Sequence, residues 1–130
     1  MQRDALLAYE PIRPAAVAGS WYPNQAQELI AEVDRYLDDA DTEPREGVRA
    51  LIAPHAGLVY SGPVAAHAYG AVRDESYEVA VLVGPSHFVG FDGVSIYERG
   101  AFDTPLGPVP IDAAVADRIR ARSSLVVPYA

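Results

Sequence analysis

The sequence contains no cysteine and no lysine, and each absence narrows what the chain can do. Without cysteine there is no disulfide, no thiolate metal ligand and no thiol nucleophile, which excludes a zinc site of the finger type. Without lysine the positive charge rests on ten scattered arginines, and the formal net charge is −8. Phosphate backbones and anionic lipid surfaces are held by clustered cations, so neither nucleic acid nor a membrane surface is an expected partner. Apolar runs are short, well below the roughly 18 residues needed to cross a bilayer. Residues 1–10 lack the long apolar core of a secretory signal, which makes the cytoplasm the default expectation. Repeats and low-complexity tracts are absent too.

What is present is the composition of a folded domain. Half the residues are apolar and 22% are charged, and 130 residues suit a single domain. Residues 1–22, with Pro11 and Pro14, read as an N-terminal arm with a short extended piece. Asn24 is the expected cap of a helix, with Gln27 three residues on as in a capping box. Leu29, Ile30, Val33, Tyr36 and Leu37 follow at helical spacing, leaving Glu28, Glu32 and Arg35 outward. An acidic loop over residues 38–47 comes next.

Residues 48–53 then read as a strand ended by Pro54. Ser61 is the expected cap of a second helix, with Val64, Ala65, Ala68, Tyr69 and Val72 as its apolar face. Residues 77–83 read as another strand, apolar throughout from Val79 to Val83, as expected where both sheet faces are covered. Strand, helix, strand predicts a βαβ unit, and with it an α/β fold: a parallel or mixed sheet with helices on both faces. A further strand is expected over residues 93–97, then a turn-rich stretch over 100–110. A last helix capped by Asp112 follows, with Arg118, Arg120 and Arg122 in its final turn, and a strand starts at Leu125. With no element after it, that final strand reads as a sheet truncated at the C-terminus.

Two of the three histidines occupy equivalent places after the two strands of the unit. His55 stands in Ala53-Pro54-His55-Ala56-Gly57, and His87 in Gly84-Pro85-Ser86-His87. Parallel strands would send both loops from the carboxyl edge of the sheet, where open α/β sheets bind ligands. Two imidazoles there supply most of a two-histidine, one-carboxylate metal site. The competing reading is that each histidine only hydrogen-bonds its own loop. Asp92 or Asp103, both in loops, could supply an oxygen as a further ligand. His67 falls inside the second helix and reads as a packing or surface histidine. Ser86 lacks the glycine-flanked elbow of an esterase, and no Gly-Lys-Ser/Thr follows Ser61, so hydrolase and phosphate-loop readings are weak.

Five blocks together resemble the MEMO family, also called AmmeMemoRadiSam system protein B. They are Arg13-Pro14 with Ala18-Gly19-Ser20-Trp21-Tyr22-Pro23, the run from Ala53 through His55 to Pro63, Ala65-Ala66-His67-Ala68-Tyr69, Gly84-Pro85-Ser86-His87, and Thr104-Pro105-Leu106-Gly107. The resemblance implies a fold similar to class III extradiol dioxygenases and a metal held by two histidines and a cysteine. His55 and His87 match the histidine positions. The cysteine, and an acidic-histidine segment, belong to a later part of the family's length, so the chain resembles an N-terminal fragment. Phe88 stands where many members have a second histidine.

The resemblance further implies a divalent metal, with iron or copper favoured and zinc an alternative, and Tyr60, Ser61 and Ser86 lining the cleft. It leaves two functions open. One is a metal-dependent, dioxygenase-like redox protein, the fragment alone being inactive. The other is a non-catalytic module that recognises a peptide or protein in the same cleft, with Trp21 and Tyr22 as an aromatic anchor. The family name also implies a pathway link to radical-SAM and AMMECR-type proteins.

Overall fold

The computed structural model describes residues 11–129. It divides into two compact units, one formed by the chain up to Pro14 together with Glu78 onward, the other by Ala15–Tyr77. Residues 1–10 of the arm read over residues 1–22 lie outside the described residues.

The continuous unit is built on two helices, α1 (Ala26–Ala40) and α2 (Leu58–Gly70), packed against each other. The expected α1 helix forms, but its apolar face is only partly covered: Tyr36, 7% exposed, is buried, Leu29 and Leu37 are half-buried, and Ile30 and Val33 are exposed. The Tyr36 hydroxyl donates to Glu32 Oε1 at 3.0 Å, and the Arg35 guanidinium lies 4.4 Å from the Tyr36 ring centre. The start of α1 differs from the capping-box expectation. Gln25, not Asn24, is the flanking residue, and no side chain caps the free amides. At the other end Asp41 turns left-handed (φ 44°), a conformation that short polar side chains tolerate.

Helix α2 begins four residues earlier than the sequence suggested, with Gly57 rather than Ser61 at its N-cap. Ser61 is instead buried in the first turn, and Pro63 lies inside the helix. Gly62 faces Tyr36 so closely that a Cβ at this position would stand 2.7 Å from the tyrosine ring. The bare backbone of Gly62 is therefore what lets the two helices approach. Arg73 pairs with Asp38 at 2.6 Å, a bond that raises the guanidinium above its ordinary value. Both partners are exposed, so the pair adds little to stability.

The second unit carries the strands β1 (Ile12–Arg13), β2 (Val94–Ile96), β3 (Ala101–Phe102), β4 (Val109–Pro110) and β5 (Val126–Pro128), with α3 (Ala113–Arg120). β1 runs parallel to β3, and β3 antiparallel to β4, in a three-stranded sheet. β2 pairs parallel with β5, Val94 opposite Val126. The expected strands at 93–97 and from Leu125 thus form and pair with each other. The stretch 100–110, read as turns, contributes two short strands around a Thr104–Gly107 turn, closed by Thr104 Oγ1 donating to the Gly107 carbonyl at 2.7 Å. Asp112 caps α3 as expected, accepting from the Val115 amide at 2.9 Å. Ala101 and Ala116 are buried, and Tyr97 packs on both Phe102 and Tyr129 at ring separations of 5.3 and 5.7 Å.

The expectation for the sheet also fails. The middle helix of the βαβ unit forms, but residues 48–53 and 77–83 pair into no sheet among the described residues. An interior strand takes all its hydrogen bonds from neighbours, so an apolar run alone does not make one. Ile52 is 98% exposed and Val83 90% exposed, the reverse of the burial that their composition calls for. The chain is a mixed α/β protein with small sheets; helices covering both faces of one parallel sheet are not what the structure shows. No helix among the described residues is long and apolar enough to cross a membrane.

Candidate functional site

His55 and His87 both lie outside helices and strands, and both are exposed. They belong to different units, His55 to the helical one and His87 to the one that carries the sheets. Among the described residues no three His, Cys, Asp or Glu side chains are grouped closely enough to hold a metal ion.

The His55 loop is tied down just after the histidine by two bonds. Ser61 Oγ donates to the Ala56 carbonyl at 2.8 Å, and the Leu58 amide donates to the Trp21 carbonyl at 2.7 Å. The first bond spans five residues, so it fixes the path of the chain just after the imidazole. Ser61 is only 8% exposed, which places its hydroxyl against the loop. Tyr60 beside it is 82% exposed. Replacing Ser61 by alanine should cost about 1 kcal/mol, the net worth of one such bond. Amide hydrogen exchange at residues 55–58 should quicken at the same time. Unchanged exchange there would mean that the serine does not hold the loop.

The His87 loop is built on the same principle. Ser86 Oγ donates to the Val89 carbonyl at 2.6 Å and accepts from the Val89 amide at 3.3 Å, closing a turn around His87. Phe88 meets the imidazole edge-on, with ring centres 6.3 Å apart. In both loops a serine near the histidine, one residue before His87 and six after His55, bonds to backbone. Side-chain hydroxyls commonly stabilise such turns in place of regular structure.

His67 sits in α2 as expected, with Nδ1 3.3 Å from Thr42 Oγ1. That contact joins α2 to the residue just beyond the end of α1.

A second feature of the helical unit was only half visible in the sequence. Gly19, Ser20, Trp21, Tyr22, Pro23 and Asn24 line a shallow groove of about 340 Å³ together with Glu28 and Glu32 of α1 and Leu58 and Val59 of α2. The aromatic pair stands out in the sequence. The two glutamates do not, because a helical pattern shows only that they avoid the core; their i, i+4 spacing was the available signal. None of Tyr60, Ser61 or Ser86 lines this groove.

Among the described residues, three helices, small parallel and antiparallel sheets, and two histidines on serine-braced loops define a mixed α/β protein. The chain belongs to the Memo-like protein family, whose model matches residues 13–128. It is 39% identical to the Protein memo-1 homolog of Caenorhabditis elegans over 113 residues, covering 86% of this chain and 32% of that protein. A MEMO1 family protein of Nitrosopumilus maritimus is 35% identical over 121 residues, covering 88% of this chain and 44% of its own length. Protein MEMO1 of Xenopus tropicalis is 40% identical over 103 residues, 79% of this chain and 34% of that protein. The chain thus spans between a third and somewhat under half of the length of these relatives.

Proposed function

We propose that this segment supplies two ligands, His55 and His87, to a divalent metal site in a whole Memo-like protein, where iron or copper would serve a redox role. The observation that carries the reading is the shared construction of the two loops: an exposed imidazole on each, with a serine hydroxyl bracing the chain beside it. Neutral imidazole is a common ligand for these metals. The donor set fits in part: the chain offers two imidazoles, and no three His, Cys, Asp or Glu side chains are grouped to hold a metal ion among the described residues. When bound, such a metal supplies Lewis acidity and, as iron or copper, electron transfer. The chain's own part is to hold two imidazoles and fix their loops; Tyr60 and Ser86 are proposed to line the same cleft.

Calorimetric titration of the chain with Zn²⁺ and Cu²⁺ tests this without any activity assay. Two imidazoles leave most positions to water, so uptake should be weak. It should vanish in His55→Ala and in His87→Ala, persist in His67→Ala, and decline on acidification, since protonated imidazole cannot ligate. Binding that survives both substitutions would end the proposal.

A second reading, recognition of a peptide or protein partner, is favoured by the aromatic groove beside Trp21. That groove uses none of the three histidines.

A further inference from the structure

We infer that the groove beside Trp21 receives a basic segment of a partner protein, with an arginine or lysine side chain seated between the indole and the carboxylates of Glu28 and Glu32. The inference rests on the partner-recognition reading and adds to it the chemistry of what is recognised.

The lining residues include two carboxylates and no cationic side chain. Glu28 and Glu32 stand one helical turn apart, where like charges repel. A cation bound between them relieves that repulsion. Trp21 is 48% exposed and lines the groove, and aromatic rings attract ammonium and guanidinium groups. Leu58 and the 66% exposed Val59 supply apolar surface for the aliphatic stem of a long cationic side chain. A volume of about 340 Å³ lies near the small end for ligand pockets, which suits one or two side chains.

The groove is also pre-organised. The Trp21 amide donates to the Val17 carbonyl at 2.9 Å, and the Gly19 amide to the Tyr22 carbonyl at 2.8 Å. The Trp21 carbonyl accepts from Leu58 at the start of α2. Glu32 is oriented by the Tyr36 hydroxyl at 3.0 Å. Little ordering entropy then remains to be lost on binding.

An anionic ligand is the rival, because the N-terminus of α1 is uncapped by any side chain and helix N-termini attract anions. Glu28 in the first turn already answers that partial charge. An incoming carboxylate or phosphate would face two negative groups.

Trp21 is the chain's single tryptophan, so its emission reports occupancy of the groove directly. The probes are the acetylated, amidated tetrapeptide Leu-Arg-Leu-Arg and its counterparts with Gln or Glu in place of Arg, titrated at physiological ionic strength. The arginine peptide should change the emission saturably and bind at least about fivefold more tightly than the glutamine peptide. The double variant Glu28→Gln/Glu32→Gln should weaken it about tenfold. A control double variant, Glu43→Gln/Glu46→Gln, removes the same charge from outside the groove and should weaken it less than about twofold. Equal losses in the two double variants would reduce the effect to bulk charge and overturn the inference. Preference for the glutamate peptide would overturn it while leaving partner recognition standing. No response to any peptide would remove both.

Discussion

Replacing Gly62 by valine should destabilise the helical unit by about 2–3 kcal/mol, the upper range for forcing extra methyl groups into a packed contact. A Cβ at this position would meet Tyr36 at 2.7 and 2.8 Å and Leu58 Cδ1 at 3.2 Å. Tyr36 is buried and held by its own hydrogen bond to Glu32, so its ring has little room to withdraw. Gly62→Ala separates two opposing terms. Alanine gains up to about 1 kcal/mol of helix propensity over glycine, and the clash costs about 1–3 kcal/mol. The alanine variant should therefore be less stable than the parent by about 1 kcal/mol on balance, and the valine variant by clearly more. Urea melts followed by helix circular dichroism measure both. An alanine variant more stable than the parent would show that α1 and α2 do not need their close approach.

The isolated chain should self-associate and bind a hydrophobic dye through residues 79–83. Val81, Leu82 and Val83 are 63%, 86% and 90% exposed, within a run that carries no charge and no proline. Unpaired, β-branched, uncharged segments are templates for pairing with another copy. A net charge of −8 opposes contact between molecules, and salt screens it. Association should then rise with ionic strength as well as concentration, as read by sedimentation. Leu82→Arg places a charge in the middle of the run and should shift the population toward monomer while lowering dye fluorescence. A monodisperse monomer across concentration and salt, with no dye signal, would contradict this.

Those same residues mark the boundary of what the sequence made legible. Local signals were read well: the existence of helix α1, the Asp112 cap of α3, and the strands at 94–96 and 126–128 all follow from nearest-neighbour chemistry. The runs 48–53 and 79–83 have the composition of interior strands, yet pairing is a property of two segments and no pattern within one run supplies the other. β3 and β4 were missed for the opposite reason, since two-residue strands in a stretch rich in proline and glycine carry no periodicity. At the candidate site, the histidines were recognisable by their places after apolar runs and by the motifs around them. The work of Ser61 and Ser86 was not, because a hydroxyl that braces a loop and one that lines a cleft look alike until backbone partners are known. The glutamates of the groove were hidden similarly, as solvent-facing positions on a helix.

The two-unit division has a consequence for how the chain acquires its structure. The helical unit is continuous in sequence, and α1 and α2 meet across a single intervening stretch, so its contacts are available early and cheaply. The other unit is interrupted. β1, at residues 12–13, must wait for β3, at 101–102, and the whole helical unit lies in the loop that this pairing closes. Loop-closure entropy grows only logarithmically with length, and a span already collapsed into a compact body is effectively shorter than its residue count. During synthesis, α1 and α2 can be complete before β3 has left the ribosome, so the most distant pairing forms last.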